Sequence, residues 1–187
     1  MDILLLGPPG AGKGTQGVLI AERFGVPKFA TGDLLRDAVK RGTPIGLKVK
    51  ATMEAGELVS DDLIMGVVRD ELAKNGAKNG VIFDGVVRTI PQAQGVEKLL
   101  GEQNRKIDHV LFFEIPDQVI LDRLARRRDI EGRADDDPKS VATRLAAYRA
   151  QTAPVLEYYQ KQGNVRMIDA VGSVDEIAQR VQKVLGG

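Results

Sequence analysis

The sequence contains no cysteine and no tryptophan. Without cysteine it has no disulfides, no thiolate metal ligands and no cysteine nucleophile, a composition typical of a reducing compartment, and we therefore expect a cytoplasmic protein. With only one histidine, a structural zinc site is not expected either. Aromatic residues make up 4% of the chain, which leaves few platforms for stacking single-stranded nucleic acid.

Neither sign of charge dominates, and the apolar runs are short. A formal net charge of +1 creates no overall field that would favour nucleic acid. No stretch approaches the roughly 18 apolar residues of a membrane span, and the first residues lack the pattern of a signal peptide. The 187 residues, 43% hydrophobic and 28% charged, are typical of one globular domain. We expect a monomer with no nucleic-acid or membrane partner.

A glycine-rich segment at 7–15, GPPGAGKGT, is the feature around which the chain is organised. The apolar run 2–6 predicts a buried strand before it, and a helical pattern follows it. Backbone N–H groups of such a turn and of the next helix bind phosphate, and Lys13 adds a mobile positive charge. The usual loop has Ser or Thr directly after the lysine to hold magnesium, whereas here Gly14 precedes Thr15. The motif predicts polyphosphate binding.

Short apolar runs alternate with helical stretches along the rest of the chain. The predicted strands are 2–6, 28–30, 81–83, 110–113 and 165–168. This alternation predicts an α/β fold with a five-stranded parallel sheet and helices on both faces. Because ligands bind at the carboxyl ends of such strands, the segments 7–15, 31–33 and 84–88 are expected to share one cleft. Long helices are predicted at about 138–162 and at 173–185.

Arginine is concentrated after the fourth strand. A helix predicted at 117–128 ends in a basic cluster, and five arginines fall within eleven residues: Arg123, Arg126, Arg127, Arg128 and Arg133. Charge runs are usually solvated, but guanidinium groups also bind phosphate oxygens bidentately. The short segment 129–137 suits a mobile flap over a phosphate site. The cleft would then hold two anionic substrates, and phosphoryl transfer between them needs positioning and charge neutralisation rather than a covalent nucleophile.

Four further polar residues can be interpreted from their positions in the predicted elements. Asp84 ends a predicted strand opposite the phosphate loop, where an acid can hold magnesium or its waters. His109, the only histidine, has no partner in a catalytic or metal-binding spacing and is interpreted as structural. Thr31 and Thr89 are predicted N-caps of the helices that follow them.

These motifs, in this order, resemble the nucleoside monophosphate kinase family, and within it the adenylate kinases. The resemblance runs end to end, through the segments 7–16, 31–36 (TGDLLR), 84–92 (DGVVRTIPQ) and 123–144. It implies a P-loop NTPase-type core made of 1–30, 61–125 and 137–187, a monophosphate-binding lobe at 31–60 and a short lid at 126–136. It also implies reversible phosphoryl transfer from ATP, with magnesium, to AMP, and a lid without zinc.

The resemblance also implies roles for individual residues. The catalytic residues would be Lys13, Arg88, Arg123, Arg133 and Arg144. ATP would be bound by Gly10, Ala11, Gly12, Lys13, Gly14, Thr15, Arg123, Arg127, Arg133 and Gly172. AMP would be bound by Thr31, Arg36, Glu57, Leu58, Val59, Gly85, Arg88, Gln92, Arg133 and Arg144. Asp84 would order the waters of the magnesium ion without ligating it directly.

One departure from the family pattern concerns the loop between Gly85 and Arg88. The family usually has a large apolar residue and then proline there, with a cis peptide, whereas this chain has Val86 and Val87. A cis bond without proline costs about 2.5–4 kcal/mol, so we expect a trans bond, a rebuilt loop and weakened AMP binding. Two alternatives stay open: a UMP/CMP kinase, and a regulatory factor that binds ATP without turnover. The arginine set argues against the second.

Overall fold

The computed structural model describes residues 1–74 and 79–186 of the chain. Its centre is a five-stranded sheet with the strand order β2-β3-β1-β4-β5. The strands are β1 (Asp2–Leu6), β2 (Lys28–Ala30), β3 (Val81–Asp84), β4 (His109–Glu114) and β5 (Val165–Asp169). Every pairing between them is parallel. The predicted α/β class and the five strands are therefore confirmed.

Helices connect the strands and cover both faces of the sheet. They are α1 (Lys13–Phe24), α2 (Thr31–Lys40), α3 (Pro44–Glu54), α4 (Asp61–Lys74), α5 (Ile90–Gly101), α6 (Asp117–Glu131), α7 (Pro138–Ala147), α8 (Ala153–Gln160) and α9 (Val174–Val184). A 3₁₀ turn spans Ala134–Asp136. Among the described residues, no helix is both long enough and apolar enough to cross a bilayer.

The strand β1 shows why the predicted strands are uninterrupted apolar runs. Side chains alternate across a sheet, so Leu4 and Leu6 enter one core cluster while Ile3 and Leu5 enter the other. The first cluster lies under α4, α5 and α8, and the second lies under α1, α6 and α9. Residues 3–6 are buried on both faces and are all apolar, whereas the buried carboxylate of Asp2 at the start of the strand is paired with Arg105.

The helix predicted at 138–162 is interrupted. A π-helical turn, Tyr148–Thr152, separates α7 from α8, and the N–H of Ala153 bonds to the carbonyl of Tyr148, five residues earlier. Pro154 has no N–H with which to continue the α-helical ladder, so the register changes just before it. This change of helical register lies beside the predicted cleft, because Tyr148 and Thr152 line a cavity of about 790 Å³ there.

The helix predicted at 117–128 is longer than expected. The helix α6 continues to Glu131, and Gly132 ends it in the left-handed conformation at φ 62°, which glycine adopts without steric cost. The 3₁₀ turn then occupies most of the remaining segment.

Candidate active site

The phosphate loop connects β1 to α1 and is shaped by close approach to β4. A Cβ atom at Gly7 would lie 2.6 Å from the carbonyl oxygen of Phe113, so no other residue fits there. Lys13 opens α1, and its Nζ donates to the carbonyl oxygens of Gly7 at 2.7 Å and Pro8 at 2.8 Å. The lysine is therefore folded over the loop, where a phosphate group can replace those carbonyls as its partner.

The electrostatics of Lys13 follow from its enclosure. Burial lowers its pKa to about 8; Asp84 opposes the shift, while Arg88 and Arg144 add to it. Burial also lowers the pKa of Arg88 to about 10. Among the described residues these two buried cations form no ion pair, so a polyphosphate can supply the anionic partner that both lack.

Asp84 ends β3 on the side that faces the phosphate loop. A Cβ atom at Gly14 would lie 3.5 Å from its Oδ2, so a glycine after the lysine leaves space beside the carboxylate. Lys28, the first residue of β2, lies between these two groups. Its Nζ is 3.8 Å from Asp84 Oδ2 and donates to the carbonyl of Gly14 at 3.2 Å. Lys28 was not predicted as a site residue. The one feature that could have indicated it is its place in β2, the strand beside β3.

Two adjacent acids organise the arginines on the far side of the cavity. Asp136 accepts from Arg127 at 2.5 and 2.6 Å and from Arg144 at 2.7 Å. Asp135 Oδ2 lies 3.2 Å from Arg144 Nη1 and 3.7 Å from Arg36 Nη1. Burial opposes ionisation of Asp136, but Arg127 and Arg144 hold its pKa below the usual range. The acids therefore hold three arginines in place around the cavity.

Arg123 and Arg133, the other two arginines of the predicted catalytic set, also line the cavity. Arg123 donates to the carbonyl of Ala170 at 2.9 Å and, more weakly, to that of Gly172 at 3.4 Å. It thereby fastens α6 to the segment after β5. Arg133 pairs with Glu131 at 2.5 Å, a contact between near neighbours in the chain that a phosphate can replace.

The loop after β3 contacts the start of α2. The hydroxyl of Thr31 donates to the carbonyl of Gly85 at 2.8 Å, and Arg88 Nε reaches the same oxygen at 3.2 Å. The predicted N-cap role of Thr31 was therefore wrong: α2 begins at Thr31 itself, and Ala30 precedes it without a side-chain cap. The N-cap role of Thr89 is confirmed by its bond to the N–H of Gln92.

Val86 and Val87 are both buried within this loop, with 0% and 2% of their surface exposed. Among the described residues no peptide bond is cis, which confirms the expected trans bond between them. The expected weakening of AMP binding stays a prediction.

Two adjoining cavities collect most of the predicted site residues. A cavity of about 790 Å³ is lined by Gly10, Gly12, Lys13, Gly14, Thr15, Asp84, Arg88, Arg123, Arg127, Arg133, Arg144 and Gly172. A second, of about 60 Å³, is lined by Thr31, Arg36, Glu57, Leu58, Val59, Gly85, Arg88, Gln92, Asp135 and Arg144. Arg36, Arg88 and Arg144 border both. The side chain of Ala11 lies instead in the core.

His109 lies apart from both cavities. It is the first residue of β4, whereas the site is at the carboxyl ends of the strands. Its Nδ1 is buried and has no hydrogen-bond partner in the part of the chain that the structure describes. Its position agrees with a structural role.

Comparison with known proteins gives one consistent result. A family model described as adenylate kinase matches residues 5–164. The chain is 42% identical over 186 residues to an adenylate kinase of Xanthomonas euvesicatoria, with all of both chains covered. It is 44% identical over 184 residues to one of Thermus thermophilus, covering 98% of this chain and 96% of the relative. With one of Gemmatimonas aurantiaca it shares 44% over 211 residues, covering 99% of each.

The matches span nearly the whole chain, and the phosphate loop, the strand-end acid and the shared arginines occupy one cleft of the fold. The chain belongs to the adenylate kinase family.

Proposed function

We propose that this protein transfers the terminal phosphoryl group of ATP to AMP, reversibly, forming two ADP. The observation that carries the proposal is the pair of adjoining cavities. One contains the phosphate loop, and Arg36, Arg88 and Arg144 border both. Two phosphate-bearing substrates in these cavities would meet at a wall made of guanidinium groups, which is where a transferring phosphoryl group needs positive charge.

The donor nucleotide would lie in the larger cavity. Its phosphates would accept hydrogen bonds from the backbone of Gly10–Thr15 and a charge from Lys13, which would leave the carbonyls of Gly7 and Pro8. Arg123 and Gly172 would flank the nucleoside, with Arg127 close by. The support is that Arg123 already fixes the segment of Gly172 against α6.

The acceptor would lie in the smaller cavity. Its base would contact Thr31, Gly85, Gln92 and the segment Glu57–Val59, and its phosphate would bind Arg36, Arg88 and Arg144. Arg36 and Arg144 now share the carboxylate of Asp135. This contact shows that both guanidinium groups reach a single anion, as binding of one phosphate requires.

Transfer itself would depend on position and charge. Lys13, Arg88, Arg123, Arg133 and Arg144 would neutralise the negative charge that spreads over the transferring group and its neighbours. The acceptor phosphate oxygen is itself the nucleophile, so no covalent intermediate with the protein is needed. Enclosing the two phosphates would exclude water, which otherwise competes as the acceptor.

Magnesium would enter with ATP. It would bridge phosphate oxygens and draw off negative charge. The described residues contain no group of three or more potential metal ligands, which fits an ion carried chiefly by the nucleotide. Asp84 is placed beside Gly14 with space between them, so its carboxylate can accept hydrogen bonds from the waters of that ion.

The segments 31–60 and 126–136 would be the moving lobes around this core. They already meet, because Arg36 Nη1 lies 3.7 Å from Asp135 Oδ2. Contacts of this kind would bring the lobes together over bound substrates and would break for product release. The proposals of a monomer and of a cytoplasmic location rest on composition alone.

The first experiment is to measure ADP formation from Mg-ATP with AMP, CMP, UMP, GMP and dAMP offered separately. Activity with AMP and its deoxy analogue supports the proposal. Activity mainly on UMP and CMP favours the pyrimidine kinase alternative instead. No turnover with any acceptor while ATP still binds would favour the non-catalytic factor.

Arg133→Ala tests whether the lid arginine acts in transfer. We expect turnover to fall by at least about a hundredfold, because a cation that meets the transferring group is lost, while ATP affinity changes far less. Arg128→Ala is the matched control, since within the described part of the chain Arg128 pairs only with its exposed neighbour Asp129. Equal activities of the two variants would contradict the role of Arg133.

A further inference from the structure

Lys28 places a second ammonium group beside the phosphate loop. It is the first residue of β2, and its Nζ donates to the carbonyl of Gly14 at 3.2 Å. The same Nζ lies 3.8 Å from Asp84 Oδ2 and 4.0 Å from Asp33 Oδ2. The side chain is 16% exposed, and lysine is rarely enclosed to this extent without a charged partner. Lys28 is therefore a fixed positive charge in the wall of the larger cavity.

The fold leaves a passage for this lysine on the surface of α1. A Cβ atom at Gly17 would lie 2.9 Å from Lys28 Cδ and 3.0 Å from Leu5 Cδ1. The helix thus lacks a side chain at the point where the lysine stem crosses it. Glycine is less favourable than alanine in the interior of a helix, so the passage lowers the stability of α1. This passage is what lets the ammonium group of Lys28 reach the phosphate loop.

Lys28 offsets the charge of Asp84 without occupying its oxygens. A separation of 3.8 Å is too long for a hydrogen bond, so the carboxylate can still accept from waters near the phosphates. Its charge would otherwise oppose the phosphates of a donor nucleotide, because Asp84 borders the same cavity as Lys13 and Gly14. The ammonium group reduces this repulsion whether or not a metal ion arrives with the nucleotide.

We propose that Lys28 sets how strongly the donor site depends on magnesium for binding ATP, by supplying a fixed cation beside Asp84. The inference rests on the proposed function. Metal-free ATP is more negative than Mg-ATP by the charge of the ion, so a fixed cation favours the metal-free form more strongly. With Lys28 present, the two forms bind with similar affinity. By linkage, magnesium then binds ATP on the protein about as tightly as it binds ATP in solution.

Calorimetry compares the two forms directly, with ATP titrated at neutral pH in EDTA and again with saturating magnesium. We expect the wild-type protein to bind metal-free ATP and Mg-ATP within about tenfold of each other. Lys28→Met keeps most of the stem and removes the charge. It should weaken metal-free ATP by at least about tenfold and Mg-ATP by less than about threefold. A ratio of the two dissociation constants that changes by less than about threefold would overturn the inference.

Gly17→Ala tests the same inference without removing a charge. Its methyl group would displace the lysine stem, so the ratio should shift in the same direction as in Lys28→Met, by a smaller factor. Gly66→Ala is its matched control, because outside its own helix and chain neighbours a Cβ atom there would meet no described atom within 4 Å. Lys50→Met is the control for loss of a lysine, since Lys50 pairs with the exposed Glu54 on α3. Both controls should keep the wild-type ratio.

The outcomes separate this inference from the proposed function. A wild-type protein that phosphorylates no monophosphate from Mg-ATP refutes the proposed function. A protein that phosphorylates AMP, but whose affinity ratio is unchanged in Lys28→Met, refutes the role of Lys28 alone, and equal weakening of both forms would show a purely structural lysine. Thermal melting shows whether each variant is folded. Should Lys28→Met fail to fold, the wild-type ratio and Gly17→Ala decide, because the inference requires both of their expected results.

Discussion

The lysine of the phosphate loop has a pKa close to the pH of ordinary assays. Burial lowers the pKa of Lys13 to about 8, and the negative charge of a bound triphosphate raises it again. At pH 8 we therefore expect ATP binding to take up about half a proton. The contribution of the ammonium group to affinity is complete below pH 8 and is lost as the pH rises through the pKa of the complex.

Calorimetry in two buffers of different ionisation enthalpy measures this uptake. Lys13→Arg is the control, since arginine stays charged over the whole range and should abolish the uptake from this site. An uptake of equal size in the variant would show that another group supplies it.

Asp136 is the residue whose loss should weaken the folded state most clearly. Its carboxylate is 0% exposed in its pair with Arg127, and it also accepts from Arg144. Removing one partner of a buried ion pair leaves uncompensated charge. We expect Asp136→Asn to lower the free energy of unfolding by about 3 kcal/mol, as measured by urea titration.

Asp129→Asn is the matched control for this change. Asp129 and its partner Arg128 are 67% and 42% exposed, so the loss should stay within about 0.5 kcal/mol. The pKa of Asp136 lies below its ordinary value, so its contribution is present above that ordinary value and disappears as the pH falls through the lowered pKa. If the two variants are equally stable, the buried pair contributes nothing.

The contacts between individual side chains were the part of the site that was hardest to predict from the sequence. Lys28 approaches Gly14 and Asp84, which are 14 and 56 residues away in the chain, and only the pairing of β2 with β3 brings them together. Thr31 is a residue type that often serves as an N-cap, but its hydroxyl donates to the carbonyl of Gly85 instead. The roles of the arginines came from resemblance, and their ligand contacts stay predictions.

At the scale of elements, the inner strands were predictable because both of their faces are buried, which produces continuous apolar runs, whereas the edge strand β5 exposes Arg166 and Met167. Helix ends were harder. The helix α6 continues past Arg128 through charged residues and Ile130, which is 84% exposed, so no apolar periodicity marks its last turn. The residue in the sequence that does mark the end of α6 is Gly132. The π turn before Pro154 depends on local hydrogen-bond register, which periodicity does not reveal.

Packing of α2 against α3 depends on one glycine. A Cβ atom at Gly46 would lie 2.1 Å from the carbonyl oxygen of Ala38, and a backbone atom cannot move aside alone. We expect Gly46→Ala to lower the free energy of unfolding by about 2–3 kcal/mol, measured by urea titration. Because the two helices form the proposed monophosphate lobe, the KM for AMP should rise more than the KM for ATP.

Gly66→Ala provides the opposite case in α4. Apart from its chain neighbours and the backbone of α4, no heavy atom of the described residues would lie within 4 Å of a Cβ at Gly66, so the change should stabilise the protein by about 0.5–1 kcal/mol through helix propensity. A stabilised Gly46→Ala would contradict the packing argument.

At the scale of the whole molecule, the net charge is close to zero but the positive charges are unevenly distributed. The chain has 27 basic and 26 acidic residues, yet arginines and lysines converge on one cleft, where low-dielectric walls focus their field. We expect kcat/KM for ATP to fall several-fold between low and physiological salt, with little change in Tm. Activity measured across a potassium chloride series tests this.

Arg126→Gln and Arg41→Gln form a matched pair for that experiment. Arg126 borders the main cavity, whereas Arg41 pairs with Asp37 on an exposed face of the molecule. The first variant should flatten the salt dependence and the second should leave it unchanged. Identical slopes for both would mean that the field of the cleft does not guide the nucleotide.

If Arg36 and Arg144 bind the acceptor phosphate as proposed, the carboxylate that they share would affect how substrates leave as well as how they enter. Because Asp135 lies 3.2 Å from Arg144 and 3.7 Å from Arg36, the proposed binding of a phosphate there would exchange one anion for another. A departing product would be replaced by the carboxylate of Asp135, so the guanidinium groups would not be left without an anionic partner. Such an exchange would limit the affinity for the bound phosphate, which suits a reaction that must proceed readily in both directions.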